Sequence, residues 1–140
     1  MSTGFFKVPV PVNEPNLMYA PGSAERTALK AALNQFKSES ADLPMFIGGK
    51  EVRTGKKIAM HPPHEHKHVL GHYHAGTGEH VKQAIDAALK AKKQWENMPW
   101  EHRSAIFLKA ADLLAGPYRA RINAATMLCQ SKNAFQAEID

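Results

Sequence analysis

The stretch PWEHRSAIFLKAADLLAG, from Pro99 to Gly116, constrains this chain more than any other. Pro99 suits the first turn of a helix, where a missing N–H has no partner to lose. Gly116-Pro117 is a stop signal. Between them Ile106, Phe107, Leu108, Ala110, Ala111, Leu113, Leu114 and Ala115 cover nearly the whole circumference. A helix apolar on all sides has to be wrapped by other elements. A self-contained domain would bury Leu108, Leu113, Leu114 and Ile139 within its own chain or against a symmetric partner. A segment of something larger would leave an apolar patch without intrachain cover.

The 140 residues are enough for one domain with a core. No run approaches the length needed to cross a bilayer, so no membrane partner is expected. The first residues, MSTGFFKVPVPV, lack both the apolar run of a secretory signal and the Arg-rich pattern of a transit peptide. A cytoplasmic location is therefore expected. The single cysteine, Cys129, excludes an internal disulfide framework. The formal charge of +5 is spread over scattered lysines. Its densest groups, Lys56-Lys57 and Lys90 with Lys92-Lys93, lack interleaved aromatics. They read as solvated faces and not as a nucleic-acid surface.

Residues 1–22 read as an extended arm, because Pro9, Pro11, Pro15 and Pro21 exclude a helix. Phe5 and Phe6 are expected to dock on the body of the protein. Ser23 is a helix cap, and Leu29, Ala32, Leu33 and Phe36 form one apolar face behind it. Met45-Phe46-Ile47 and Lys50 to Arg53 flank the tight turn Gly48-Gly49. Further strands are expected at Lys57–Met60 and Val69–Ala75, giving one small antiparallel sheet. Thr77 caps the next helix, whose stripe is Val81, Ile85, Ala88, Leu89 and Trp95. After Pro117 the apolar positions Ile122, Ala125, Met127, Leu128 and Cys129 mark another helix. Ser131-Lys132-Asn133 breaks it. Ala134 to Asp140 restarts helical periodicity with no stop signal. Glu138 and Asp140 are poorly placed at a helix C-terminus and well placed near the start of a longer helix. The last residues are thus expected to be the first turns of a longer element.

This order of pieces resembles the N-terminal region of aldehyde dehydrogenases. It runs FIGGKEV, a short sheet, a helix ending KKQWENMPW, then RSAIFLKAADLLAGPYRARINAATMLCQSKNAFQAEID. The strings NEPNLMYAPGSAER, FLKAADLLAGPYRA and QAEID are similar to the 1-pyrroline-5-carboxylate dehydrogenase branch of that family. The resemblance runs from about Phe5 to Asp140. It implies an α/β parent fold, of which this segment is mostly α-helical with a small sheet. Residues 23–140 would form the N-terminal part of an NAD-binding domain. The implied activity is NAD-dependent oxidation of glutamate semialdehyde, in a homo-oligomer. The resemblance also places the NAD turn, the nucleophilic cysteine, the water-activating glutamate and the oxyanion asparagine outside these residues. No catalytic or cofactor-binding residue is therefore expected here. The expected partners are the rest of a catalytic chain and a small-molecule substrate.

Three features compete for a chemical role. Cys129 lies late in a helix, where the dipole opposes a thiolate, and reads as a small buried hydrophobe. His61, His64, His66, His68, His72, His74 and His80 crowd one short span. On an extended segment His64, His66 and His68 would share a face, as would His72 and His74, and three imidazoles can hold zinc or nickel. The resemblance instead implies a surface loop here with no metal role. Glu138 of QAEID is the candidate substrate residue: the resemblance places it near the substrate entrance, helping to receive the substrate's amino end. The plainer reading is a first-turn glutamate favoured by the helix dipole. The alternative for the whole chain is a free-standing helical binding or oligomerisation module, gathering metal through its histidines.

Overall fold

The structure, a computed structural model, describes residues 4, 5, 7 and 9–140. Five helices, α1 (Ala24–Ser38), α2 (Gly78–Asn97), α3 (Trp100–Ala115), α4 (Arg119–Gln130) and α5 (Ala134–Ile139), make up about half of it. Five short strands, β1 (Ala41–Leu43), β2 (Met45–Ile47), β3 (Lys50–Val52), β4 (Lys57–Met60) and β5 (Gly71–His74), lie between α1 and α2.

Helix α1 starts where Ser23 Oγ accepts the Arg26 N–H at 3.3 Å. Its face then buries Leu29 and Ala32 against α4, which contributes the fully buried Ala124. Tyr19 of the arm completes this small core, and Leu33, Phe36 and Met127 pack around it. Burying a leucine such as Leu29 is worth roughly 1.5–3 kcal/mol. The arm is thus seated by its second half. Phe5, in its first half, is fully exposed and undocked, and Phe6 lies outside the described residues.

The strands form two sheets and not the single antiparallel one expected. The hairpin β2–β3 stands alone, turned by Gly48 and Gly49 at φ 58° and 78°. The other sheet has the order β1-β5-β4, with β5 antiparallel to β4 and parallel to β1. Strand β1 is invisible to local propensity: three residues, one of them Asp42, after a Ser-rich stretch. Its pairing depends on Gly71, opposite Ala41 and at φ 151°. A Cβ there would lie 2.2 Å from the Ala41 carbonyl oxygen. The sheet is then pinned from the side. The buried His74 donates Nε2–H to Asp42 at 3.0 Å, and its Nδ1 lies against the Thr54 backbone, 2.7 Å from the nitrogen and 2.8 Å from the carbonyl oxygen. Lys57 first, and His74 after it, hold the Asp42 carboxyl below the usual range against the cost of desolvation.

Pro99 precedes α3 as its cap residue, one position earlier than expected. More consequentially, α3 and α2 bury no residue at all. Leu108, Leu114 and Ile139 are 47%, 55% and 54% exposed, and Leu113 is half-buried. Val81, Ile85 and Leu89 of α2 are exposed too. Among the described residues, this apolar surface is only partly covered by the chain itself, as expected of a segment of something larger. Trp95 and Trp100 are not core: both are exposed, and Trp95 lies edge-to-face with Phe107, ring centres 6.4 Å apart at 79°.

Gly71→Ala should lower stability by on the order of 2–3 kcal/mol in urea unfolding, because β1 must move away. Gly55→Ala, with open space around it, should change it by less than about 0.5 kcal/mol.

Candidate functional site

Helix α4 ends at Ser131, in the left-handed conformation at φ 56°. Asn133 then starts α5 by taking the Gln136 N–H at 2.9 Å, while the Gln136 side chain takes the Asn133 N–H at 3.1 Å. This sharp reversal turns Glu138 of α5 back onto α4. Its side chain has no exposed surface, and all its partners are donors. Oε1 accepts the Leu17 N–H at 2.6 Å and the Arg119 Nη2–H. Oε2 accepts the Tyr19 O–H at 2.6 Å, Asn123 Nδ2–H at 2.8 Å and Arg119 Nε–H at 3.3 Å. Asn123 Nδ2 also reaches the Tyr19 oxygen at 2.8 Å, and Arg119 Nη2 the Pro15 carbonyl at 2.7 Å.

Burial alone would raise the Glu138 pKa. The hydrogen bonds from Arg119, Tyr19, Leu17 and Asn123 outweigh it and hold the carboxyl below the usual range. Tyr19 responds in the opposite sense: burial first, then its bond to the carboxylate, pushes the phenol up to about 12. Glu138 does not sit in the first turn of α5, which holds no acidic residue. Its charge is stabilised by side chains and one arm amide, not by the dipole. Beside it opens a cleft of about 560 Å³, lined by Glu14, Arg119, Asn123, Asp140 and Glu138 with apolar residues of α3 and α4.

Sequence reasoning singled out Glu138 but not the side chains around it, Tyr19, Arg119 and Asn123. The available signal was Arg119 and Asn123 four apart on one helix face, with the asparagine amid apolar neighbours. His72 and His74, two apart on β5, share a face as expected, but His64, His66 and His68 do not: residues 61–70 make turns closed by Glu65 N–H to Pro62 O and His68 N–H to Glu65 O, so the alternation of a strand is lost there. His64 Nδ1 lies 2.8 Å from Ser131 Oγ, His61 Nδ1 3.0 Å from the His68 carbonyl, and His80 takes the Thr77 N–H at 3.1 Å. Among the described residues no three His, Cys, Asp or Glu side chains gather as a metal would require. Cys129 is exposed, not buried: it falls off the face α4 turns to the core. Among the described residues no helix is long and apolar enough to cross a membrane.

The sign of the pH dependence follows from these shifts. The depressed Glu138 carboxyl contributes stability that is complete above its unfolded value of about 4.3 and is lost as pH falls through the folded one. Glu138→Gln should abolish that acid limb and cost about 2–3 kcal/mol, because an amide NH2 would face donors. The raised Tyr19 phenol contributes stability present below pH 10 and lost between pH 10 and about 12. Tyr19→Phe should flatten that alkaline limb in urea unfolding.

A sequence profile described as "Aldehyde dehydrogenase family" matches residues 50–140. The chain is 52% identical to a delta-1-pyrroline-5-carboxylate dehydrogenase of Agaricus bisporus over 136 residues, covering 96% of this chain and 25% of that protein. It is 46% identical to a probable delta-1-pyrroline-5-carboxylate dehydrogenase of Schizosaccharomyces pombe, with the same coverage of each. The chain thus spans about a quarter of the length of these curated relatives. Among solved structures, the delta-pyrroline-5-carboxylate dehydrogenase of Mycobacterium tuberculosis bound with NAD superposes with a TM-score of 0.95 at 46% identity. That match covers 99% of this chain and 26% of the other. The 1-pyrroline-5-carboxylate dehydrogenase from Thermus with bound NAD gives 0.86 at 29% identity, over 95% of this chain and 26% of the other. With the profile matching well over half of its residues and the fold shared along almost its whole length, the chain belongs to the aldehyde dehydrogenase family.

Proposed function

We propose that this chain is the N-terminal segment of an NAD-dependent 1-pyrroline-5-carboxylate dehydrogenase, which oxidises L-glutamate 5-semialdehyde to L-glutamate in proline catabolism. The observation that carries this reading is the superposition, at a TM-score of 0.95, on about a quarter of a dehydrogenase of that name. The uncovered faces of α2 and α3 fit it, since they are the surfaces further protein would cover. Residues 23–140 then belong to the NAD-binding domain, with residues 1–22 as its arm. The assembled enzyme is a homo-oligomer in the cytoplasm. Relatives from Dictyostelium discoideum and Mus musculus are named mitochondrial, so cell fractionation decides the compartment.

The resemblance puts the residues that hold NAD outside this segment, and the N-termini of α1, α2 and α5 are already taken up by Ser23, His80 and Asn133. No step of hydride transfer is assigned to this segment, which supplies no catalytic residue. What it supplies is a wall of the substrate entrance. The cleft sets Glu14, Glu138 and Asp140 against Arg119, paired with Glu138, and Lys132, paired with Asp140, which leaves the Glu14 carboxylate as the surplus charge that favours the ammonium group of an amino-acid substrate. Glu138 is the substrate-binding residue, acting through its charge, since its hydrogen-bonding capacity is already filled.

NAD reduction with glutamate semialdehyde tests the reading. The 140-residue chain should give no rate, and the product of the coding sequence read past Asp140 should give one. Turnover by the short chain alone, or none by the long product, overturns it.

A further inference from the structure

The Glu138 site is built from two parts of the chain that are far apart in sequence. Arg119 and Asn123 come from α4, next to α5. Leu17 and Tyr19 come from the arm, 121 and 119 residues away. The arm has no regular structure of its own, so it would be a poor place from which to hold a carboxylate. Tyr19 is the exception. Its ring belongs to the core formed by Leu29, Ala32 and Ala124, and it is 8% exposed. Its backbone is in the left-handed region at φ 50°, a conformation an aromatic residue adopts only when its surroundings enforce it. Arg26 Nη1 donates to its carbonyl at 3.2 Å, and the Ser23 N–H to the Ala20 carbonyl at 3.0 Å, which locks the turn leading into α1. The phenol is thus carried on a fixed mount.

The direction of its hydrogen bond is also fixed. Asn123 Nδ2 has only hydrogens to offer, so the Tyr19 oxygen accepts from it and the phenol hydrogen goes to Glu138. A donor aimed at one carboxylate oxygen favours the ionised form and sets its orientation.

We propose that Tyr19 is a positioning residue: from the arm, it holds Glu138 ionised and oriented at the wall of the cleft. This rests on the reading of the cleft as the place where a substrate ammonium is received. In that reading the arm tunes substrate affinity without touching the substrate. The groups facing the pair are Arg119, Asn123, the Leu17 amide, Glu25 and Arg26 of α1 and, along the cleft, Glu14 and Asp140, the last paired with Lys132.

The test uses Tyr19→Phe, which keeps the ring, and 3-fluorotyrosine at position 19, which keeps the bond but makes the phenol a stronger donor. Carbon-13 NMR of the Glu138 carboxyl in the full-length dehydrogenase carrying this segment reads its titration midpoint. The midpoint should rise by about 1 in pH in Tyr19→Phe and fall in the fluorinated protein. In the full-length dehydrogenase carrying this segment, Tyr19→Phe should raise KM for glutamate semialdehyde about 5-fold with kcat kept. The analogue without the amino group, glutarate semialdehyde, should be unaffected. An unmoved midpoint in both proteins overturns the proposal. So does an equal change for both substrates, which marks loss of fold. Glu138→Gln separates the two ideas. If it leaves KM for glutamate semialdehyde unchanged while the midpoint still follows the phenol, the substrate reading fails and the control of ionisation by Tyr19 stands.

Discussion

A carboxylate without solvent contact has to be surrounded by donors or it will not stay ionised, and this requirement organises one end of the molecule. Glu138 meets it by drawing on an amide and a phenol of the arm and on two side chains of α4. Removing any one leaves charge or polar surface uncompensated in a place water does not reach. The arm, the α4–α5 reversal and the core around Tyr19 therefore stand or fall together. The left-handed Ser131 and the Asn133–Gln136 capping pair matter for the same reason: they aim α5 so that its one buried acid faces α4.

The rest of the molecule is governed by what is not enclosed. The buried apolar residues are few and sit mainly between the arm, α1 and α4. The most hydrophobic helix, α3, lies outside this cluster and meets α2 through one edge-to-face ring pair. The protein thus has a small, well-made core beside a broad oily face.

Much of this was readable from residues alone. The face of α1 showed in the spacing of Leu29, Ala32, Leu33 and Phe36. The hairpin showed in Gly48-Gly49, and the poverty of polar positions on α3 already posed the question of cover. Strand β1 was not readable, because its only justification is a partner thirty residues on that has no side chain. His64, His66 and His68 misled because alternation was assumed where the backbone makes two turns. Cys129 misled because a helix of mixed polarity does not announce which side will face inward. Glu138 was found by likeness to a family. Its partners were not, since Tyr19 becomes a ligand only through a backbone conformation that nothing in its neighbours' identities signals.

The placement of the two tryptophans has an optical consequence. Trp95 and Trp100 are 39% and 48% exposed, on the helices that pack least, whereas the core holds a tyrosine and no indole. Indole emission from this protein reports whether α2 and α3 are covered, and it is nearly blind to the integrity of the interior. A blue shift on adding a binding partner would mean that something had settled over those helices, and an unchanged spectrum in denaturant would say little about whether the fold survived.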